Sequence, residues 1–402
     1  MKNTLLALLL FTSFILAQEN RFNLPSQKNS MGELSFMVDD PLSDAFLYPS
    51  QIGLNIVNTA FMGIDDNPTK EDIYSVGSRF DEMQVPAGFV LGIGKLKIGL
   101  LAGYYDANVK YFTKAQNVLS ELKGERYSTP IQLSVGYDFP GICIGASYYN
   151  SFKKIERFSA YPLLGTAGIN YQKIMVGARY IVNSEKNISL DYSHQIIEHY
   201  ALKSINTFRL DYRTKISRPF EIGLLGSIEL GNFLYSVREN YSTGVGISYS
   251  RNKLIIAAEL GFDHNIFCST DNEFIDYFRI EETDAYYHNY PYTFSGDETS
   301  NNWAFKLGGK YMFTGNFEIS AGMNYKYKES TISYVSGDAL DNSKTDDYGI
   351  TAGFHYQFNN FSINYGFVYH KVKYFNSILY STYGEDAKMA SNRHSLLITY
   401  NF

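Results

Sequence analysis

The chain has 402 residues, a net charge of −6, two cysteines and one tryptophan against 35 tyrosines and 29 phenylalanines. Its mild acidity leaves no basic footprint for nucleic acid. No apolar run past the N-terminus reaches the roughly 18 residues that a membrane-spanning helix needs.

Residues 1–17 have the layout of a secretory signal peptide: Lys2, an apolar stretch from Leu5 to Leu16, then Ala17 before Gln18. No cysteine follows the stretch, so no lipid anchor is expected. Residues 18–50 are not strand-like. They contain Asp39, Asp40, Ser43, Asp44, Ala45, Phe46 and Pro49. This series resembles the Asp-Asp-x-Ser-Ala … Asn-Pro-Ala-Gly segment of the FadL-like outer-membrane transport family and of related secretion-system barrels. The resemblance implies an N-terminal plug in the lumen, with Asp39, Asp40, Ser43, Asp44 and Pro49 as its residues, and a barrel that passes hydrophobic molecules. Tyr48, Ser50 and Gln51 depart from the pattern. The competing reading of 18–50 is an exposed periplasmic lead with one Asp-capped turn.

From residue 51 to 402 the chain alternates with period 2, as in Ile131, Leu133, Val135, Tyr137, Phe139 and in Leu254, Ile256, Ala258, Leu260, Phe262. Short polar turns fall near 94–95, 140–141, 184–186, 217–219, 251–253, 314–316 and 359–360. Longer links are expected at 63–83, 113–126, 159–166, 268–301, 334–346 and 376–390, with two short ones near 202–203 and 237–241. With a first strand near 52–62, the total is about 16 strands, or 14 if that strand or one hairpin is misread. The fold class is therefore all-β: a transmembrane antiparallel β-barrel with short turns at one rim and long loops at the other.

The faces agree with a membrane wall. Phe208, Leu210, Tyr212 and Ile216 alternate with Arg209, Asp211, Arg213 and Lys215. A charge facing lipid near midplane costs about 2–4 kcal/mol, so the charged side is the lumen. His194 falls on the apolar parity, where a bulge or a wrong phase is expected rather than an ionised His facing lipid. Counting from the turns places Arg179 near Asp191, Asp191 near Arg213 or Lys215, and Lys215 opposite Glu221, with Arg209 and Glu229 extending the ladder. These charges either form a selective belt or rigidify a closed lumen. Cys143 and Cys268 lie at opposite ends of their strands, so no disulfide is expected.

The link 268–301 mixes acids with aromatics: Glu273, Asp276, Tyr277, Glu281, Glu282, Tyr286 and Tyr287 are its candidate surface for a partner. It lacks an Asp-x-Asp-x-Asp-Gly loop, so no metal is expected, and no other cofactor is called for. Ser193 and His194 are consecutive in a strand and point to opposite faces, and no other nucleophile–base set emerges, so no enzyme is expected. The chain closes on Leu396, Ile398, Tyr400 and Phe402. This ending resembles the C-terminal signal of bacterial outer-membrane barrels, with Tyr400 and Phe402 as the part presented to the insertion machinery. The expected surroundings are outer-membrane lipid, that machinery, and a small solute or a surface protein. The function expected is a passive channel for small solutes, hydrophobic if FadL-like. The alternative is a non-conducting scaffold or secretion-system partner that works through its outer loops.

Overall fold

The computed structural model describes residues 24–53, 57–73, 76–115, 118–158, 167–183, 185–198, 202–233, 236–269, 296–334, 340–375 and 387–402. Among these, sixteen antiparallel strands close one barrel. In chain order they are β1 (Thr59–Ile73), β2 (Val76–Ile93), β3 (Leu96–Ala115), β4 (Val118–Phe139), β5 (Ile142–Phe158), β6 (Ala167–Asn183), β7 (Lys186–Glu198) and β8 (Leu202–Ser217). Then come β9 (Phe220–Phe233), β10 (Ser236–Arg251), β11 (Leu254–Ser269), β12 (Gly296–Thr314), β13 (Phe317–Tyr334), β14 (Leu340–Phe358), β15 (Phe361–Phe375) and β16 (Ala387–Asn401). Each strand pairs its neighbours in sequence, and β1 pairs β16 to close the ring.

The tight turns all lie at one rim, where the Phe402 N–H also donates to the Asn58 carbonyl at 3.0 Å. Two expectations are corrected. The first strand starts at Thr59, not near residue 52. The expected links 63–83, 113–126 and 334–346 are mostly strand, because β1 to β4, β13 and β14 continue into them. Beyond the apolar band both faces of a strand are wet, so the sequence alternation fades while the hydrogen-bonded ladder goes on. Strands run from 13 residues in β7 to 22 in β4, against the roughly 9–11 that cross a bilayer. The wall is therefore low around β7 and tall around β3 and β4.

The outer surface is apolar. Ile131, Leu133, Val135, Tyr137 and Phe139 of β4 are all exposed there. Aromatic pairs ring the tight-turn rim, such as Tyr137–Phe139 at 4.5 Å and Tyr400–Phe402 at 6.2 Å. This is the aromatic girdle of a membrane barrel. The bulge expected at His194 is absent: β7 and β8 keep register there, and the ring stays outward, 2.9 Å from Asn206 Oδ1. Eight residues above its rim, in a tilted strand, His194 lies on the order of 20 Å up, near the far edge of the apolar band, where polarity costs little. No disulfide joins Cys143 and Cys268.

Inside lies the segment 24–53. It holds two short helices, α1 (Gln27–Ser30) and α2 (Pro41–Leu47), and a 3₁₀ turn at Pro49–Gln51. Asp40 caps α2 by accepting from Ser43 N at 3.4 Å, and Pro41 follows at the first helical position, where a missing N–H costs nothing. Two apolar clusters seat this segment. One joins Phe46, Ala45 and Ile52 to Phe61, Val90 and Leu101 of the wall; the other gathers Met31, Leu34, Phe36 and Met37 around Ala257.

Candidate functional site: the lumenal plug and its cavity

The wall prepares a bed for the plug with inward residues that lack side chains. Gly136, Gly145 and Gly177 face one another across β4, β5 and β6, and the row ends at Asp191 of β7. A Cβ at Gly145 would collide with the Pro49 carbonyl. On the other side Ala257, Gly308, Gly322 and Thr351 form a second row across β11 to β14. Gly308 and Gly322 take the backbone of Met31 and Gly32. There the chain turns through positive φ at Gly32 (76°) and Glu33 (55°). Each row ends in a polar side chain that binds plug backbone. Asp191 accepts from Ser50 N at 3.0 Å and Ser50 Oγ at 2.8 Å. Thr351 Oγ1 accepts from Gly32 N at 2.7 Å and donates to the Ser30 carbonyl at 3.0 Å.

Carboxylates complete the seating. Glu259 accepts four hydrogen bonds from the plug: Ser35 N at 2.7 Å, Ser35 Oγ at 2.5 Å, Phe36 N at 2.8 Å and Met37 N at 2.7 Å. Glu33 reaches back to the wall, 3.5 Å from Lys326 and 3.3 Å from His370, and accepts from Asn324 at 2.7 Å. Burial would raise the Glu33 carboxyl, but Lys326 and His370 outweigh it and hold it well below the usual range. Asp39 meets Arg213 at 2.6 Å. Its enclosure pushes the carboxyl up and the guanidinium pulls it down harder, so it too lies low. The Asp39 side chain keeps 61% of its surface open, so lumenal water limits that pair to about 1 kcal/mol. Within the plug, Lys28 Nζ meets Asp44 at 2.6 Å and ties α1 to α2. Burial wins at Asp44 and raises it. Asp40 accepts from Ser26 Oγ at 2.6 Å and Gln27 N at 2.9 Å.

The expected charge ladder is thus rearranged. Asp191 stands opposite Arg209, not Arg213 or Lys215, and Arg179 stands opposite Ser189. Lys215 does face Glu221, as counted. Several wall charges turn to the plug instead of to each other: Arg179 hydrogen-bonds Gln51, Asp191 takes Ser50, and Arg213 takes Asp39. Asp211 sits between Arg213 at 3.5 Å and Arg209 at 3.9 Å, and Glu229 pairs with Arg238 at 3.7 Å. Register counting saw only strand neighbours, so it assigned partners within the wall that the lumenal segment takes instead. Glu33, Lys28, Glu259 and Thr351 were missed. Glu259 carried a readable signal, a lone acid between the small inward residues Ala257 and Gly261. The loop residues Glu273, Asp276, Tyr277, Glu281, Glu282, Tyr286 and Tyr287 lie outside the described residues.

Beside α2 the seating is incomplete. A cavity of about 150 Å³ remains between the plug and β4 to β9. Leu24, Phe46, Leu47 and Met175 supply apolar surface, and Tyr48, Tyr149 and Tyr171 supply rings. Its charged side carries Lys173 and Arg209, the latter with its guanidinium 4.2 Å above the Tyr48 ring. Gln132 of β4, at the opposite side, donates to the Phe46 carbonyl at 2.7 Å.

The ladder is interrupted close by. Pro86 of β2 and Pro130 of β4 face inward, fully buried, in one row with Gly63 and Gly103. The β1–β2 pairing stops at Met62–Ala87 and resumes at Asp65–Gln84; the β3–β4 pairing stops at Ala102–Ile131 and resumes at Tyr105–Ser128. A proline has no N–H to give to the ladder, so each one leaves a weak seam.

Fold and site together define a plugged outer-membrane-type β-barrel with a small cavity at the plug. Its fold is similar to that of solved hydrocarbon channels. Over 94% of this chain and 99% of the other it matches a mutant of TodX, a monoaromatic hydrocarbon channel, with TM-score 0.57 and 11% identity. The toluene transporter TodX of Pseudomonas putida matches over 93% and 97%, with TM-score 0.51 and 10% identity. CymD, another monoaromatic hydrocarbon channel, matches over 95% and 98%, with TM-score 0.50 and 13% identity. No protein-family model matches the chain, and no curated protein matches it either.

Proposed function

We propose that the protein is an outer-membrane channel through which a small hydrophobic solute moves passively, with no covalent chemistry. The cavity carries this reading. Its volume of about 150 Å³ is that of an apolar protein site able to hold benzene, and aromatic and aliphatic groups form much of its lining. The names of TodX and CymD support the same class of solute. Plug contacts on all sides argue against a free aqueous pore. The interrupted seams offer the exit: Pro130 is two residues from Gln132 on the same inward face, so a solute leaving the cavity toward lipid meets the wall where its ladder is weakest. In this reading residues 1–17 direct export, and the strand ending at Tyr400 and Phe402 is what the insertion machinery receives.

The test is toluene uptake by cells producing the full chain or the double variant Pro86→Ala, Pro130→Ala, which regains two ladder donors. Uptake should fall severalfold in the variant while toluene binding to the purified protein is unchanged. If the full chain neither binds toluene nor speeds its entry, the scaffold reading replaces this one.

A further inference from the structure

On the outside of the wall, the lipid-facing side of β15 ends in two lysines. Phe361, Ile363, Tyr365, Phe367 and Tyr369 share one parity, and Lys371 and Lys373 continue it. Phe361 and Ile363 are exposed at the tight-turn end, and Lys371 is exposed at the other. Lys371 stands ten residues beyond Phe361. At roughly 3.3 Å per residue, in a strand tilted by about 40°, that is a rise of about 25 Å. The apolar band has the same height, so both lysines lie where lipid tails give way to headgroups.

Neighbouring strands build a patch around them. Tyr348 of β14 stands opposite Lys371, and Asp346 stands opposite Lys373. Lys373 Nζ lies 5.8 Å from the centre of the Tyr348 ring, which packs 5.0 Å from the ring of Tyr325 on β13. Asp346 accepts from the Tyr325 hydroxyl at 2.8 Å, and Glu329 meets Lys344 at 3.4 Å. Lys344 and Glu329 thus cancel, while Lys371 and Lys373 share one acid, and the patch is positive. Near this height β7 and β8 carry His194 and Asn206 outward, and β11 and β12 carry His264 and Asn301, joined at 2.9 and 2.7 Å. Among the described residues, outward lysines at this level are confined to β14 and β15.

We infer that this sector binds a phosphate-bearing lipid headgroup in the leaflet on the long-link side. The inference rests on the outer-membrane reading and goes beyond it by assigning a lipid site to one part of the wall. Charge complementarity selects the occupant. Lys371 and Lys373 are two apart on one face, roughly 7 Å along the strand, so the oxygens of one phosphate can accept from both ammonium groups. Such charge-assisted hydrogen bonds are about twice as strong as neutral ones. Below the patch, Ile350, Phe354 and Phe358 of β14 are exposed and give the acyl chains an apolar track. A free phosphate ion would gain the ammonium groups alone, at a site where water screens them.

The probe is lipid A with two phosphates, titrated by thermophoresis against the full chain in a neutral maltoside detergent. Lipid A should bind at least tenfold tighter than phosphatidylethanolamine, whose amine neutralises its own phosphate, and salt should weaken it. Inorganic phosphate at equal concentration should not displace it. Lys371→Gln with Lys373→Gln should weaken lipid A about tenfold, whereas Lys371→Arg with Lys373→Arg should keep its affinity. The same loss of charge at the tight-turn rim, Lys95→Gln with Arg251→Gln, should change nothing. Equal binding of the two lipids, unchanged affinity in the first Gln variant, or equal loss in both Gln variants overturns the inference and leaves the outer-membrane reading intact. Displacement by inorganic phosphate makes the site one for the free ion and overturns the lipid assignment. A dimer that the first Gln variant turns into a monomer, with lipid A bound as before, would put a second copy of the chain on the sector and overturn it too. A full chain that shows no heat-modifiable mobility and does not enter liposomes overturns the outer-membrane reading as well. Where only the first Gln variant loses that mobility, the wild-type lipid ratio and its salt dependence decide the matter.

Discussion

The two halves of the plug are held in different ways. Residues around Met31–Met37 lie on the Ala257–Gly308–Gly322–Thr351 row, backbone against backbone, with Glu259 accepting four hydrogen bonds at once. The second half, α2 and the 3₁₀ turn, has its own row at Gly136–Gly145–Gly177, yet beside it a cavity of about 150 Å³ stays open toward β4 to β9. In the proposed function one side anchors the plug and the other meets the solute. In that reading a plug that both seals and admits a solute separates those tasks by packing one half more closely and leaving the larger space beside the other.

The largest effect should come from removing both halves. Deleting residues 24–53 leaves the wall without the segment that fills it, and planar-bilayer recording should show large steady conductance where the full chain is nearly silent. A silent deletion variant that still shows heat-modifiable mobility would mean that the plug is not what closes the lumen.

Next, a side chain can be driven into either row. Gly322→Leu pushes against Met31 and Gly32, whereas Gly145→Leu pushes against Pro49. Overpacking costs about 1–3 kcal/mol. If the first half is the anchor, Gly322→Leu should expose the whole plug to protease from the tight-turn side. Gly145→Leu should loosen only the second half and change solute binding without opening the pore. Equal exposure in both variants would erase the distinction.

The carboxylates span the widest range, with the smallest effect at Asp39, and here the two halves can be ranked. Glu259→Ala strands the N–H groups of Ser35, Phe36 and Met37, each worth about 1–3 kcal/mol when buried without a partner. Asp39→Asn should cost no more than about 1 kcal/mol, since that carboxylate is open to water. Amide exchange at 35–37 should therefore rise far more in Glu259→Ala than exchange at 41–47 does in Asp39→Asn. Acid should act through Glu33 and Asp39. Both carboxyls are depressed in the folded protein, so their contribution is complete above the usual carboxylate range and is lost as pH falls through their lowered values. Asp44, which is raised, has the opposite sign and opposes part of this loss. Plug exchange at neutral pH should hold steady and then accelerate below about pH 4. Acceleration already at pH 6 would point to groups other than these two.

Much of the barrel was legible because a membrane wall is written in local rules. Alternation along β8 from Phe208 to Ile216 separates lipid from lumen, and tight turns such as Pro140–Gly141 mark one rim. The lumenal position of Asp39, Asp40, Ser43, Asp44 and Pro49 was only implied by a family resemblance that an exposed periplasmic lead could share, whereas the helix cap at Asp40 follows from the residues themselves. The strand ends were less legible. Above the apolar band, in β1 to β4, both faces of the strand meet water and the period-2 pattern disappears.

The sequence by itself determined which residues face inward, because side-chain direction in a strand alternates whatever lies across from it. It also determined which inward residues are charged and which are glycine. Only the tertiary structure decided what those residues meet. Gly308 and Gly322 become a bed for Met31, Asp191 takes Ser50 instead of Arg213, and Arg209 is left facing Tyr48 and a cavity. Those contacts join positions more than a hundred residues apart through the register of several strands, and no periodicity within one segment encodes them.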